Sequence, residues 1–377
     1  MLINADLHIH SPFSGGTSDT IDLRRIAAGA KMKGLQVVAT GDCLHPAWQR
    51  EIKKYEENGV IVVDGVHFVL GVEVEDKNRV HHVLLFPDFS AADEFRERIE
   101  RHSPNIREEG RPKVSLSGAE ILERAIETHA LLGPAHAFTP WTSLYAYFDS
   151  LMDYYGKKPS FIELGLSADS EYADRISELH SLPFLTNSDA HSYMPHRLGR
   201  EFNRLEVEEI TWDEIRRAIE HNRIVLNVGF PPAKGKYNRT ACSSCYRQYE
   251  KEKAAQMHWR CHCGGTIKKG VRDRIDELAD SPRGFHPEGR PPYVHLIPLA
   301  EIIGQALGLE YHAGIVKKRW EELSRLGSEI EVLLDINISL IRKSAPPAVA
   351  DAIEAFRNGT IRIVPGGGGK YGEVILP

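Results

Sequence analysis

Residues 6–10 read Asp6-Leu7-His8-Ile9-His10, within the stretch NADLHIHS at positions 4–11. Alternate residues of an extended segment point to one side, so Asp6, His8 and His10 share a face while Leu7 and Ile9 turn away from it. Two imidazoles and a carboxylate on one face form a donor set suited to Zn²⁺ or Mn²⁺. The same residue types recur beside other short apolar runs. They are Asp42 and His45 in ATGDCLHP, Glu73 in LGVEVE, His81 and His82 in VHHVLLF, His136 in GPAHAF, Glu163 in FIELGL, and Asp189 with His191 in NSDAH. A single histidine at a strand end is ordinarily a satisfied core residue. Recurrence at successive strand ends is what a metal site requires. The donors are too many for one tetrahedral ion. A cluster of two or three metals is expected, with a carboxylate such as Glu73 bridging.

The apolar runs predict strands at 2–5, 35–39, 68–74, 80–86, 161–164, 184–186 and 224–228. Helical spacing predicts helices at 21–33, 91–102, 117–131 and 212–221, the third opened by a Ser117/Glu120 capping box. Strand–helix alternation implies an α/β fold with a parallel sheet, open or closed into a barrel. The carboxyl ends of such strands form one rim, where active sites sit. Phe230-Pro231-Pro232 ends this region, because proline cannot continue a strand ladder. The expected division is 1–231 for the barrel, 232–280 for a cysteine-bearing module and 281–377 for a helical C-terminal domain, in keeping with a chain of 377 residues. Residues 281–292 read as a linker or ordered loop, followed by helical patterns at 299–307, 314–326, 328–341 and 347–357. The terminal PGGGGKYG is no P-loop, since Tyr371 stands where Ser or Thr is needed. A flexible or tightly turning tail is expected there.

The second module carries Cys242-x₂-Cys245-x₁₅-Cys261-x-Cys263, four of the five cysteines. Four clustered thiols suit a closed, structural zinc site in a reducing compartment better than disulfides, with His258 or His262 as alternative donors. The fifth, Cys43, precedes Leu44 and reads as a buried structural thiol. Residues 234–274 hold eleven Lys/Arg and three Asp/Glu, a local charge of +8, with Tyr237, Tyr246, Tyr249 and Trp259 interleaved. Such a segment can grip phosphates and stack on unpaired bases. The whole chain carries −6, which taken globally argues against a polyanionic partner; split by segment, −14 lies outside the basic module. A composition 42% hydrophobic and 27% charged is globular. No apolar run reaches the roughly 18 residues of a membrane span. The first residues lack the basic, apolar and small-residue series of a signal peptide, so a cytoplasmic, nucleoid-associated location is expected.

DLHIHS, TGD, GVEVE, PAH and SDAH together resemble the polymerase and histidinol phosphatase (PHP) superfamily. The resemblance implies a distorted (β/α)₇ barrel holding up to three metals for phosphoester hydrolysis. It implies one site from His8, His10, Glu73 and Asp189, a second from Glu73, His81 and His136, and a third held by Asp42 and His191. Gly41-Asp42 stand where that superfamily has Asp-His, so either Asp42 substitutes or His45 reaches in. Glu163 occupies a position where Cys or Glu is usual. The implied catalytic set is Asp189, Glu73, His10 and His191. With the Cys₄ module and helical region added, TGDCLHPAW, IELGLSAD, TNSDAHS, RPPYVHLIPLAEII and PGGGGKYG resemble the endonuclease Q family over essentially the full length. That resemblance implies a DNA repair endonuclease. Its expected reaction is cleavage 5′ to uracil, hypoxanthine, xanthine or an abasic site, leaving a 3′-hydroxyl and a 5′-phosphate. A weakly paired nucleotide would be flipped into a pocket. The run Phe138, Trp141, Tyr145 and Tyr147 either walls such a pocket or packs in the core. Two other readings are a PHP phosphatase acting on a small phosphate ester and a nucleic-acid-binding protein with an inactive barrel.

Overall fold

The computed structural model describes residues 1–377. Its centre is a ring of seven strands: β1 (Leu2–Asp6), β2 (Val37–Ala39), β3 (Val66–Glu75), β4 (His81–Phe86), β5 (Leu131–Pro134), β6 (Ile162–Glu163) and β7 (Phe184–Leu185). Strands β1, β2 and β3 run parallel, as do β6 and β7. The β3–β4 and β4–β5 pairs are antiparallel, which corrects the expectation of a parallel sheet. The reason is the link at 76–80, since a parallel return needs a dozen or more residues and five allow only a hairpin. Ser160 N donates to Leu132 O at 2.8 Å and carries the ring from β5 to β6. Leu7 N bonds to Asn187 Oδ1 at 2.9 Å and Ser188 N to Asp6 Oδ1 at 3.0 Å, closing β7 onto β1. Asp6 therefore staples the barrel shut instead of joining its donors at the rim.

Ile3, Ala5, Val37, Ala39, Val69, Val83, Leu131, Phe161 and Leu185 fill the interior, closed at one end by Ile215 and Ile219 of helix Trp212–Glu220. This is a packed core and not a pore. Four strands unforeseen in the sequence extend the sheet, Glu56–Glu57 and Val60–Val63 on one side and two more on the other. Phe202–Glu206 pairs antiparallel with β1, and Tyr293–His295 runs parallel to Ile224–Gly229. The helix Gly118–Glu127 has the expected capping box but stops four residues before Leu131, where β5 begins. His129, at φ 56°, turns the chain there without the glycine that usually marks such a stop.

Of the four expected C-terminal helices three form, Leu299–Leu307, Gly314–Leu323 and Pro347–Arg357, whereas the one expected at 328–341 is broken at Ile336-Asn337 into a π-turn, Glu331–Asp335, and a helix, Ile338–Ser344. Ile303, Val349 and Ile353 join the same apolar cluster as the barrel's outer residues. A buried ion pair joins the two regions, Lys33 Nζ to Glu329 Oε1 at 2.8 Å. Cys43 is fully buried, and burial with the neighbouring Asp42 carboxylate holds its thiol well above the usual range, as a structural thiol requires. No helix is long and apolar enough to cross a membrane.

The loop at 281–292 is ordered. Arg290 lies over the Phe184 ring at 3.5 Å and bonds to Asp174 at 2.9 Å. His286 Nδ1 lies 2.7 Å from Asp174 Oδ2, and its Nε2 lies 3.1 Å from Glu171 Oε1. Burial opposes protonation of His286, but these carboxylates outweigh it and raise the imidazole above its ordinary 6.5. A raised folded value stabilises fully below the unfolded value near 6.5 and is lost as pH climbs through the folded one. His286→Ala is therefore expected to lower the melting temperature more at pH 6 than at pH 9. The side chain is over a third exposed, so the cost is under about 1 kcal/mol.

Candidate active site

The rim residues converge on Glu73. Its Oε1 lies 2.8 Å from His81 Nδ1 and 3.0 Å from His136 Nε2, while its Oε2 lies 3.5 Å from His10 Nε2 and accepts from Arg111 Nη1 at 3.1 Å. Burial opposes ionisation, yet the facing imidazoles hold the Glu73 carboxyl well below its usual range. On the other side, Asp189 Oδ1 lies 3.1 Å from His10 Nε2 and 3.8 Å from His8 Nε2. Two compact donor groups result, His8/His10/Asp189 and Glu73/His81/His136, with donor atoms within 4.8 Å of one another in each. His8 Nε2, His10 Nε2 and Asp189 Oδ1 are buried and lack a hydrogen-bond partner. Buried polar atoms are almost always satisfied. Three orphans facing one another fit a cation, whose ligand bonds of about 2.0–2.2 Å put its donors roughly 3–4 Å apart.

Asp42 and Glu163 stand behind the imidazoles. Glu163 lies 3.0 Å from His8 Nδ1 and accepts from His136 N and Asn187 Nδ2, each at 2.8 Å. Asp42 lies 3.3 Å from His10 Nδ1 and accepts from Ser11 N and Ser14 Oγ, each at 2.8 Å. Their oxygens are occupied on the side away from the donor groups. Placed there, they fix the ring orientation of His8 and His10, as carboxylates behind metal-binding histidines do. Despite the burial that opposes it, the facing carboxylates lift the His8 imidazole to about 9. His45 is not brought to the site. It caps helix Pro46–Lys53 and stacks on Phe13 at 3.9 Å. His191 lies at the edge, its ring 4.3 Å from that of His10, with burial lowering its imidazole.

Register separates His81 from His82. Val74 pairs with His82 and Glu75 with His81, so His81 shares the face of Glu73 while His82 points away. His82 contacts Tyr155 Oη at 2.7 Å and Asp76 at 3.4 Å. Asp42, His136 and Asp189 sit at φ 47°, 32° and 48°, a left-handed cluster uncommon outside glycine and found where function holds the backbone in place.

A cavity of about 600 Å³ opens over the donors. Its wall includes Arg111, Arg200, Lys234 and Lys236, four cations absent from the sequence expectations as site residues. Arg111 and Arg200 lie in loops whose pattern carries no signal. Lys234 and Lys236 were legible only as part of the basic segment. Of the aromatic run, Trp141 lines the cavity, Phe138 and Tyr145 stack in the core at 5.0 Å, and Tyr147 is exposed elsewhere.

Cys242, Cys245, Cys261 and Cys263 form one group, without His258 or His262. Sγ atoms of Cys242 and Cys263 lie 3.5 Å apart, and those of Cys245 and Cys261 lie 3.6 Å apart. Thiolates about 2.3 Å from a tetrahedral zinc stand at close to that spacing. The Tyr249 hydroxyl, 3.0 Å from Cys261 Sγ, pulls that thiol down to about 6.

The rim of the barrel gathers two groups of side chains that could hold metal ions. The chain belongs to the endonuclease Q family. It superposes on the lesion-specific endonuclease PfuEndoQ of Pyrococcus furiosus with a TM-score of 0.96 at 52% identity, over 100% of this chain and 96% of that one. A structure of endonuclease Q with a 27-mer duplex carrying an abasic lesion at the active site gives a TM-score of 0.95 at 52% identity, over 100% and 97%. YqxK of Bacillus subtilis is 32% identical over 404 aligned positions, 99% of each chain. MJ0043 of Methanocaldococcus jannaschii is 52% identical over 246 residues, 63% of this chain; the match spans only 31% of that protein's length. Residues 298–360 match the family described as the MJ0043 C-terminal domain.

Replacing Glu163 by Gln is expected to weaken metal binding at the His8/His10/Asp189 group by roughly 10- to 100-fold, because the ring of His8 loses its anionic support. Titration calorimetry with Mn²⁺ checks this. His45→Ala, at a residue outside both donor groups, should match wild type.

Proposed function

We propose that this chain is a DNA repair endonuclease that hydrolyses the phosphodiester 5′ to deaminated bases (uracil, hypoxanthine, xanthine) and at abasic sites, leaving a 3′-hydroxyl and a 5′-phosphate. One observation carries the reading: Asp189 of the orphaned donor group, together with His81 and His136, lines a cavity walled by arginines, lysines and aromatic rings. An active site for a small phosphate ester has no use for so wide a basic wall. The abasic duplex held by the related endonuclease Q supports DNA as the partner. On this reading residues 1–231 form the hydrolytic barrel, 232–280 the zinc-bearing basic module and 281–377 the helical domain, with chromosomal DNA in the cytoplasm as the target.

His8, His10 and Asp189 would hold one divalent cation, and Glu73, His81 and His136 a second; His191 at the edge suits a third. Zn²⁺, Mn²⁺ or Mg²⁺ held there supplies water activation and neutralisation of phosphoryl charge. Glu73 spans the two groups and keeps them in register. Arg111 holds Glu73 from the cavity side and, with Arg200, attracts the phosphate. The closed barrel beneath keeps the donors fixed while a flipped nucleotide enters from above.

The test is incubation with Mg²⁺, Mn²⁺ or Zn²⁺ and labelled duplexes bearing one uracil, one hypoxanthine, one abasic site or none. Metal-dependent nicking of the three damaged duplexes only is expected. Hydrolysis of a small phosphate ester with no nicking would overturn the proposal.

A further inference from the structure

The glycine-rich end of the chain is a strap, not a loose tail. Gly366 N donates to Ala233 O at 2.9 Å, Gly369 N to Lys236 O at 2.9 Å and Gly372 N to Lys234 O at 3.0 Å, while Arg239 N donates to Gly366 O at 3.0 Å. These bonds pin residues 233–239, the segment between the barrel and the zinc module. The contact needs glycine. A Cβ at Gly366 would stand 2.5 Å from Gly235 O, and one at Gly368 would stand 2.2 Å from Cys242 O. The strap approaches this closely because its glycines present no side chain at the contact.

The strap delivers Tyr371 to the cavity wall. Lys236 Nζ lies between two rings, 5.4 Å from the centroid of Tyr237 and 5.8 Å from that of Tyr371. Tyr237 in turn meets Trp141 edge-on at 4.6 Å. A single wall of three rings and one cation is thus assembled from the barrel, the linker and the chain end. Tyr371 is 56% exposed, whereas the Asp189 oxygen at the floor is buried. A ring at the mouth meets the nucleotide beside the one that reaches the floor.

We propose that Tyr371 is a substrate-positioning residue, its ring stacking on the nucleobase adjacent to the extruded nucleotide while Lys236 holds a neighbouring phosphate. This rests on the repair-nuclease reading. Stacking of one base on an aromatic ring suffices to make Tyr371→Ala raise KM by about tenfold. Because the contact is with the neighbour, uracil and abasic duplexes should lose equally, with kcat held within about twofold. Tyr371→Phe keeps the ring and should match wild type.

The experiment measures KM and kcat of the full chain and both variants on the two duplexes, with zinc content and melting temperature as checks on folding. In parallel, 2-aminopurine is placed next to an abasic site. Its fluorescence should be quenched on binding wild type or Tyr371→Phe, and not on binding Tyr371→Ala. Wild-type KM and quenching in Tyr371→Ala would overturn the proposal while leaving the nuclease reading intact. So would a loss confined to the uracil duplex, or a Phe variant as impaired as Ala. If wild type itself cuts neither duplex, the nuclease reading fails and this inference falls with it.

Discussion

Asp189→Asn is expected to slow cleavage of a lesion-bearing duplex by about a thousandfold, in the range seen when one preorganised electrostatic group is removed from a reaction centre. Binding of that duplex should stay within about threefold of wild type, since loss of one carboxylate near an incoming phosphate removes repulsion and not attraction. Asp189 offers a buried, unpartnered oxygen 3.1 Å and 3.8 Å from the Nε2 atoms of His10 and His8. Asparagine keeps the shape but gives up the charge a cation needs. After glycine, asparagine is also the residue best suited to the φ of 48° found here, so the backbone is undisturbed. Single-turnover rates and fluorescence anisotropy separate the two effects. Equal losses in binding and cutting would make Asp189 part of the DNA grip. Unchanged cutting would remove it from the reaction centre.

The second large effect concerns the junction between the barrel and the C-terminal helices. Glu329 is fully buried and takes Lys33 Nζ at 2.8 Å, Trp320 Nε1 at 2.7 Å and Leu299 N at 3.3 Å. Lys33, also fully buried, reaches Pro195 O at 3.1 Å as its other partner. Removing one member of a buried pair strands the other charge without water. Glu329→Ala is expected to cost about 3–5 kcal/mol. Replacing both, as in Lys33→Met with Glu329→Leu, should recover most of that loss, because the penalty lies in the unpaired charge. Urea denaturation of the two variants and wild type measures it. A single-variant cost below about 1 kcal/mol would show that water reaches the pair. The ion pair has a functional consequence, since Pro298, Glu301 and Tyr311 of the C-terminal region line the same cavity as Asp189.

The rim was largely legible in the sequence because strand geometry is periodic. Residues 6, 8 and 10 share a face in any extended segment, and Glu73 falls near a strand end that an apolar run announces. What stayed hidden depends on tertiary partners. Asp42 and Glu163 read as ligands by type, and only the bonds that fill their oxygens turn them to the back of the imidazoles. His45 looked available, yet it caps a helix and stacks on Phe13. His81 and His82 are adjacent, and the β3–β4 register alone decides which faces the site. The strand at Leu131–Pro134 was absorbed into the preceding helical pattern, since no glycine or proline marks the turn at His129. The glycine run reads as either flexible or tightly turning, because glycine permits both; here the missing side chains permit a tight contact.

The proposed reaction breaks one phosphodiester on the 5′ side of a damaged nucleotide. Mass spectrometry of both strands after reaction with a duplex holding a single uracil tests it most directly. One break is expected, immediately 5′ to the uracil in its own strand, with a 3′-hydroxyl on one fragment, a 5′-phosphate on the other and the base still attached. Release of free uracil, a break on the 3′ side, or equal cutting of the undamaged duplex would contradict it.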